Sequence, residues 1–361
     1  TLTPMGLCNH HSGSIAYAQA SIILPLGSNL YSVITSSVSD SLFSNWPNII
    51  PPDMQYYDIL QQHLVDMNLN SGHGKIIKKQ LLLRDVPLSR TQMMACRHAD
   101  GKSWWLLKQG KDSNKVYKFV ITADSVYKYG WQKFDEPVWG NFDERGQSMF
   151  NQQGTKYATG VGALNAVFMA DFDRCSGILS DPRILKLPIN TIAPGIPFID
   201  SVPWGLCFSP NDSFLYVTSN FNIYQFDLFD PDSLTAWYHV ANMDTTYDQF
   251  LEWYTMYTSP DGRIFLGNKD GVGKAMSTIE NPNVKGAGCN FCPKCFRFGL
   301  IGAGNPPCMP NYALGKDTTL NCWPMGLVES ERGEREAEWV IYPNPAQTQL
   351  TIESEAFKKG L

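Results

Sequence analysis

The segment PWGLCFSPNDSFLYVTSNFNIYQFDL, Pro203–Leu228, decides the fold of this chain. It predicts three short strands in a row, Gly205–Phe208, Phe214–Ser219 and Asn222–Leu228. Each strand alternates apolar with polar residues and is rich in the aromatic and β-branched side chains that strands favour. The intervening SPNDS and SNFN segments have the composition of tight turns. No helix of ordinary length fits this pattern, so the segment predicts an antiparallel sheet.

The same unit of strand, polar turn and strand recurs along the chain. It is clearest at Tyr254–Gly267, with SPDG at the turn, and it is fainter at Met149–Gly160 and Met93–Lys108. Together with the first segment these copies lie roughly 45 to 55 residues apart, and repetition at such a period is typical of sheets arranged radially. The segment ASIILPLGSNLYSVIT, Ala20–Thr35, repeats the unit once more.

The predicted strands group into five successive sheets. They are Ala20–Thr35 (two strands), Gln55–Met67 and Lys75–Leu83; Met93–Cys96, Ser103–Lys108, Lys115–Thr122 and Val126–Trp131; Ser148–Phe150, Lys156–Gly160, Ala166–Asp173 and Arg183–Leu187; the strands of Pro203–Leu228 with Thr235–Val240; and strands around Trp253, Phe265 and Gly273–Ile279. Only Gln55–Met67 has a spacing that fits a helix as well as a strand, and a strand is favoured because a loop and a further strand follow it. Sheets of four antiparallel strands joined by similar polar links indicate an all-β β-propeller with WD-like repeats and about five to six blades in this chain.

Composition excludes several classes of function. The chain has 361 residues, of which 43% are hydrophobic and 17% charged, with a net charge of -5. A nucleic-acid surface needs a cluster of basic residues, and the Lys and Arg residues form none in the sequence, so no nucleic-acid partner is expected. No run of 18 apolar residues occurs, so no transmembrane helix is expected. The 29 glycines and 23 prolines suit many short strands joined by turns.

The two ends of the chain differ from its middle. The chain opens with TLTPMGLCNHH and has neither an initiator Met nor a leader pattern, so we expect a removed leader or a fragment. The predicted domains are a β-propeller at 1–288, a Cys-rich closing segment at 289–328, a charged linker at 329–338 and a small β module at 339–361. In the last of these, WVIYPNPAQTQLTI reads as two strands about a Pro-rich turn.

This C-terminal segment resembles the opening of a known family. Its residues Tyr342, Pro343, Asn344, Pro345 and Ala346, followed by Leu350, are similar to the start of the type A sorting domain that Bacteroidetes attach to cargo of the type IX secretion system. The resemblance implies a small β-sandwich that routes a protein through the outer membrane and is usually cleaved. It also implies that the domain continues beyond Leu361, and it names the type IX secretion machinery as a partner.

The rest of the chain is similar to secreted propeller-like proteins that carry this sorting domain. The matching segments include LVDMNLNSGHGKIIKKQLLL, DFDRCSGILSD and STIENPNVKGAGCNF, and the resemblance covers most of residues 20 to 291. It implies that about one more blade precedes Ala20 and that the parent protein has seven blades. The expected location is therefore outside the cell or on its outer surface. The resemblance assigns no catalytic residue.

Five cysteines near the end of the propeller form the most suggestive cluster for chemistry. They are Cys289, Cys292, Cys295, Cys308 and Cys322. In an exported protein such thiols pair as disulfides that stabilise a loop-rich segment, and this is the expectation. One alternative is zinc, because thiolates at Cys-x-x-Cys spacing suit a tetrahedral site with Cys289, Cys292, Cys295 and Cys308 as ligands. The other is a set of free or mixed thiols. The total of 9 cysteines is odd, so at least one is unpaired within the chain.

Other candidate ligands have simpler interpretations. Cys96 and Cys207 fall on predicted strands and are interpreted as buried free thiols. Cys8, His10 and His11 form a metal-capable trio in the opening segment, for which solvated residues are the favoured interpretation. His98 is interpreted as a hydrogen-bonded turn residue. Five aspartates at strand ends suit turn caps better than a calcium site, because the EF-hand pattern is absent. They are Asp171, Asp173, Asp227, Asp230 and Asp232.

The sequence favours a binding protein over an enzyme. It contains no Gly-x-Ser-x-Gly, His-Glu-x-x-His, Walker or dinucleotide-binding motif. We therefore expect a surface or secreted module that binds a protein or glycan on one face of the propeller, with no catalytic residue and no cofactor. The alternatives are a hydrolase or lactonase with Asp and His at the central channel, and a structural surface component that self-associates.

Overall fold

The structure is a computed structural model, and it describes most of the chain. The described residues are 19–43, 56–111, 114–135, 146–188, 190–191, 199–200, 202–219, 221–230, 236–242, 253–268, 272–303, 308–319, 322, 339–342 and 351–354. They form antiparallel sheets, with three short 3₁₀ helices at Asn70–Gly72, Gly162–Leu164 and Gly286–Cys289. The all-β prediction is confirmed. No helix among these residues is long and apolar enough to cross a membrane.

The strands follow one another in sheets that are consecutive in sequence. A seven-stranded sheet contains β1 (Ser21–Gly27), β2 (Leu30–Ser37), β3 (Tyr57–Asp66), β4 (Lys75–Arg97), β5 (Trp104–Gly110), β6 (Lys115–Ile121) and β7 (Val126–Lys133). Four-stranded sheets follow, with β8 (Ser148–Phe150), β9 (Lys156–Val161), β10 (Ala166–Phe172) and β11 (Leu179–Lys186); β14 (Gly205–Phe208), β15 (Phe214–Thr218), β16 (Asn222–Asp227) and β17 (Trp237–Asn242); and β18 (Trp253–Thr258), β19 (Ile264–Asn268), β20 (Val272–Ile279) and β21 (Phe291–Ala303). Two-stranded ribbons are β12 (Asn190–Thr191) with β13 (Ile199–Asp200), and β22 (Trp339–Tyr342) with β23 (Thr351–Ser354).

One strand joins the first two predicted sheets. The 23-residue strand β4 pairs with β3 through its first part and with β5 through its last part, Met93–Arg97. The register shifts between Leu88 and Met93, and Asp85 and Gln92 have φ of 57° and 56°, so the strand bends there. The two sheets expected from the sequence are therefore joined through one strand, because Leu88 pairs with Tyr57 of β3 on one side and with Gly110 of β5 on the other.

The sheet formed by Pro203–Leu228 and β17 has the predicted strands. Its hydrogen-bonded order is β14, β15, β16 and β17, with Gly205 opposite Thr218 and Phe214 opposite Asp227. Ser209 accepts the N–H of Phe214 at 2.9 Å and closes the first turn. The ambiguous segment around β3 is a strand, as expected. In the last sheet the fourth strand is β21, which pairs with β20 from within the Cys-rich segment.

Neighbouring sheets contact each other mainly through one strand each, namely β4, β8, β14 and β18. β4 contacts β8, β8 contacts β14, and β14 contacts β18. Gln147, which is fully buried just before β8, links three of these sheets: its amide donates to the Met256 carbonyl at 2.8 Å and accepts the N–H groups of Leu206 and Met256 at 3.2 and 3.1 Å. Large side chains such as Trp105 and Phe168 are fully buried between the sheets. Four-stranded antiparallel sheets packed through their first strands are the arrangement of β-propeller blades.

A segment without regular structure crosses the hairpin ends of these sheets. We call residues 308–317 the strap. Its Tyr312 hydroxyl donates to the Ile23 carbonyl at 2.6 Å, and its Asn311 amide donates to the Gln152 carbonyl at 3.0 Å. The N–H of Asp317 donates to the hairpin between β4 and β5 at 2.9 Å. The strap therefore connects three separate stretches of the blades.

One arginine holds the strap to the third sheet. Arg174 follows β10 and is 4% exposed. Its Nε donates to the Arg97 carbonyl at 2.9 Å, its Nη2 donates to the Gly315 carbonyl at 2.5 Å, and its Nη1 lies 3.9 Å from the Asp317 carboxylate. Such a buried guanidinium satisfies several carbonyls that no other donor replaces.

Residues 318–361 form a separate compact unit. Its described part includes the antiparallel ribbon of β22 and β23, in which Tyr342 pairs with Thr351. The predicted pair of strands around the YPNPA turn is present. The turn residues Pro343, Asn344, Pro345 and Ala346, together with Leu350, lie outside the described residues.

Candidate functional site

A cavity of about 590 Å³ lies at the ends of the strands β4, β8, β14 and β18, next to their hairpin turns. We call it the hairpin cavity. Its walls come from the end of β4, from β8, from the turns after β14 and β18, and from the strap. They are Met94, Ala95, Met149, Phe150, Gln152, Pro210, Tyr257, Thr258, Ser259, Pro260, Gly262, Met309, Pro310, Asn311, Tyr312 and Ala313. Volumes of this size are typical of small-molecule sites in proteins.

The blade geometry explains how distant residues meet here. Met94 lies in β4 and Met149 lies in β8, and their side chains are 1% and 7% exposed. The strands β4, β8, β14 and β18 contact one another in that order. The ends of β4, β8 and β18 therefore bring these side chains and Tyr257 to one place. Pro260, Met309 and Ala313 are exposed, so the cavity reaches the protein surface at the strap.

Among the residues that the structure describes, no Asp, Glu, His, Lys or Arg lines the hairpin cavity. The ionisable groups that do line it are two phenols. Burial raises the pKa of Tyr312 to about 12, with the nearby Tyr257 adding to the shift. Burial also raises the pKa of Tyr257, with a smaller contribution from Cys207. Both phenols are therefore neutral at physiological pH, and the walls carry no formal charge.

Most polar side chains of the walls already have partners within the protein. The Thr258 hydroxyl lies 3.0 Å from Cys207 Sγ and donates to the Phe208 carbonyl at 3.3 Å. Ser259 donates to Asp261, and the Tyr312 hydroxyl donates to a carbonyl of β1. The donor hydrogens of four wall side chains are thus engaged within the protein, because the Asn311 amide is also hydrogen-bonded, to Gln152 and to the N–H of Ala313.

Two cysteines beside the blades are free, as the sequence suggested. Cys96 and Cys207 are buried and unpaired. Burial raises the pKa of each thiol to about 12, which outweighs the opposing effect of Arg174 at Cys96 and of Thr258 at Cys207. A thiol that stays protonated at neutral pH is a poor nucleophile and a poor metal ligand, so neither cysteine suits catalysis.

The C-terminal cysteines occupy different chemical states. Cys292 and Cys295 form a disulfide with each other at the start of β21. Cys175 and Cys322 are each in the disulfide-bonded state. Cys289, which is buried, and Cys308 are free thiols. Because Cys292 and Cys295 are bonded to each other, they do not offer thiolates to a zinc ion in this state. Among the described residues, no group of three or more His, Cys, Asp or Glu side chains comes together.

His98 lies in a hairpin and is fully hydrogen-bonded. Its Nδ1 accepts the N–H of Asp100 at 3.0 Å, and its Nε2 lies 3.3 Å from the Cys175 carbonyl. Burial raises the pKa of Asp100, but the contact with the His98 ring and hydrogen bonds from Lys102 and Ser103 outweigh burial and hold that pKa well below its usual value. The turn interpretation of His98 is confirmed.

The strand-end aspartates also serve local structure. Asp173 accepts the N–H of Cys175 at 2.8 Å, and Asp171 pairs with Lys156 at 2.6 Å. Asp227 accepts Lys285 Nζ at 2.8 Å, and this bond is the main reason why its pKa lies below its usual value. Their partners are protein cations and turn amides, as turn caps require. Asp232 and the trio Cys8, His10 and His11 lie outside the described residues.

Sequence reasoning did not identify the hairpin cavity or the strap. The strap sequence CMPNYALGKD has no periodicity, so it reads as loop. Its position depends on hydrogen bonds to residues 140 to 290 positions away, such as Tyr312 to Ile23. The available signal was the concentration of Met, Pro and aromatic residues at the hairpins, for example Met94 and Met149.

Comparison with known proteins gives similarity to solved structures only. No family profile matches the chain, and no curated protein matches it. A protein from Lactobacillus plantarum is similar at 10% identity and a TM-score of 0.44, over 77% of this chain and 69% of that one. A provisionally named 6-phosphogluconolactonase from Bacteroides fragilis is similar at 11% identity and a TM-score of 0.40, over 72% and 79%. The β-propeller domain of Cps50 (Swd1) from Myceliophteria thermophila is similar at 11% identity and a TM-score of 0.35, over 63% and 64%.

Proposed function

We propose that this chain is a secreted or cell-surface β-propeller that acts as a binding module. The observation that carries the proposal is that, in the part of the chain that the structure describes, the walls of the hairpin cavity contain no Asp, Glu, His, Lys or Arg. A hydrolase or lactonase would need general acids and bases within hydrogen-bond reach of a substrate. The buried thiols of Cys96 and Cys207 stay protonated, and both ring nitrogens of His98 have partners within the protein. These described residues therefore favour binding over catalysis.

The proposed export route is the type IX secretion system. It is supported by the resemblance of Tyr342–Leu350 to the type A sorting domain, and by disulfides that suit an oxidising compartment. The secretion machinery and an external ligand are the proposed partners, and a Bacteroidetes origin belongs to the same proposal.

Hydrolysis assays separate the binding proposal from the enzymatic alternative. We expect the purified protein to hydrolyse sugar lactones and p-nitrophenyl esters no faster than buffer, because no general base lines the cavity. The measurement is the initial rate of hydrolysis at pH 6 to 8, with a known lactonase as the positive control. A saturable rate that disappears in the Ala313→Trp variant would replace the binding module with the enzyme.

Export is tested in the full-length gene product, expressed in a bacterium that has the type IX machinery. Replacing Tyr342, Asn344 and Pro345 by alanine should lower the amount in the medium or on the surface at least tenfold, because the proposed signal is lost. Immunoblots of medium, surface and periplasmic fractions measure the effect. The control replaces Ser330, Glu334 and Glu336 in the charged segment and should leave export unchanged. Equal export of both variants would contradict the proposed route.

Self-association distinguishes the structural alternative. A surface-layer component should form large assemblies at micromolar concentration, whereas a binding module can remain monomeric or form a small closed oligomer. Sedimentation velocity of the purified protein gives the answer directly.

A further inference from the structure

We propose that the hairpin cavity binds a neutral, largely apolar small molecule carrying at most one or two hydrogen-bonding groups. The inference rests on the proposed binding function and names its ligand class. This ligand differs from the protein or glycan expected from the sequence, because few polar groups of the walls are free to pair with the hydroxyls of a sugar.

The charge of the walls excludes ionic ligands. A carboxylate, phosphate or ammonium group entering the cavity would lose its hydration without meeting an opposite charge. Transfer of an unpaired charge into such surroundings is strongly unfavourable. A neutral ligand avoids this cost, and the neutral phenols of Tyr257 and Tyr312 do not repel it.

The polar groups of the walls exclude a ligand with many hydroxyls. Thr258, Ser259, Asn311 and Tyr312 are already hydrogen-bonded to the protein. The Tyr257 hydroxyl and the Gln152 amide nitrogen also line the cavity, and they are the two polar groups left to orient a ligand. A sugar ring would bury several hydroxyls against Met and Pro side chains, where few protein donors are left to pair with them, and burial of unpaired hydroxyls is unfavourable.

The shape and chemistry of the remaining walls suit an apolar ring system. Met94, Met149 and Met309 present flexible, polarisable thioethers, which adapt to irregular ligands and pack well on aromatic rings. Phe150 and Tyr257 add ring faces and edges for stacking. Met309 is 41% exposed at the mouth, so bound ligand would cover apolar surface that now faces water.

Fluorescence titration with N-phenylnaphthylamine, a neutral apolar dye, tests the inference. We expect a saturable increase in emission with one site per chain. The anionic analogue anilinonaphthalene sulfonate should bind at least about tenfold more weakly, because its sulfonate meets no cation. Methyl glycosides should not compete with the dye.

Two matched variants locate the site. Ala313 is exposed at the cavity mouth, so Ala313→Trp should fill part of the cavity without disturbing the core and should weaken dye binding at least about tenfold. Val284→Trp changes a residue that is 46% exposed and does not line the cavity, and it should leave the affinity unchanged. Thermal unfolding of both variants shows that they fold.

The outcomes distinguish this inference from the proposed function. Absent dye binding, equal affinity of the Ala313→Trp variant, or competition by glycosides would overturn the apolar ligand, while absent hydrolysis would leave the binding module in place. Catalytic turnover would overturn the module itself. Weakening in the Ala313→Trp variant alone, with the anionic dye disfavoured, supports the inference.

Discussion

Replacing Gly205 by alanine should destabilise the protein by about 3 kcal/mol or more, one of the largest effects expected for any single methyl group in this chain. An added Cβ would overlap the Tyr254 carbonyl oxygen and lie 2.7 Å from Thr218 Oγ1. The Thr218 hydroxyl accepts the Gly205 N–H and donates to the Tyr254 carbonyl, both at 2.8 Å. The methyl group would therefore separate β14 from β18 and break the bond between two blades.

The matched control is Gly315→Ala. A Cβ at Gly315 meets nothing within 4 Å, and the residue is exposed. Its effect should stay within about 0.5 kcal/mol. Guanidinium unfolding followed by tryptophan fluorescence measures both variants. If Gly205→Ala unfolds at the same midpoint as the wild type, the close approach of β14 and β18 is not part of the folded protein.

Replacing Arg174 by alanine should cost about 3 kcal/mol, because it removes a buried guanidinium that donates to several backbone carbonyls. The carbonyls of Arg97 and Gly315 lose bonds of 2.9 and 2.5 Å, and the Asp317 carboxylate loses a cation 3.9 Å away. Unlike the glycine variant, this one should also release the strap locally. Hydrogen exchange of residues 308–317 should accelerate more than exchange of the fourth sheet.

Arg183→Ala is the control for Arg174. Its side chain is 29% exposed and pairs with Asp171 and Asp181, so its loss should cost about 1 kcal/mol or less. Arg174→Lys keeps the charge but lacks the planar fork, and it should recover only part of the stability. Uniform acceleration of exchange in the Arg174→Ala variant would mean that the arginine supports the blades without fixing the strap.

The local pattern of the chain was sufficient to predict most strands. β14, β15 and β16 begin at the predicted residues, because their alternation and their Ser-Pro-Asn-Asp turn are encoded within one hairpin. β3 was ambiguous by spacing alone, and pairing with β2 and β4 decides it. In each case the residues that specify the element lie within or next to it.

Features that depend on distant residues were not predictable in the same way. β21 contains Pro293 and two cysteines, so its composition argued against a strand until β20 provided a pairing edge. The hairpin cavity needs Met94, Met149 and Met309 together, and these lie 55 to 215 positions apart in sequence. Their meeting depends on blade order, which no local pattern contains.

The length of β4 matters for anyone who wants to cut or rearrange this protein. Blade repeats are usually exchanged, duplicated or circularly permuted at the linkers between sheets, where a new terminus disturbs no pairing. The two sheets predicted for the first part of the chain have no such linker between them, because Lys75–Arg97 is one continuous strand that belongs to both. A boundary placed there would create two frayed edges and expose Leu88, which is fully buried. These two blades should therefore be inherited, transplanted and expressed as a single cassette.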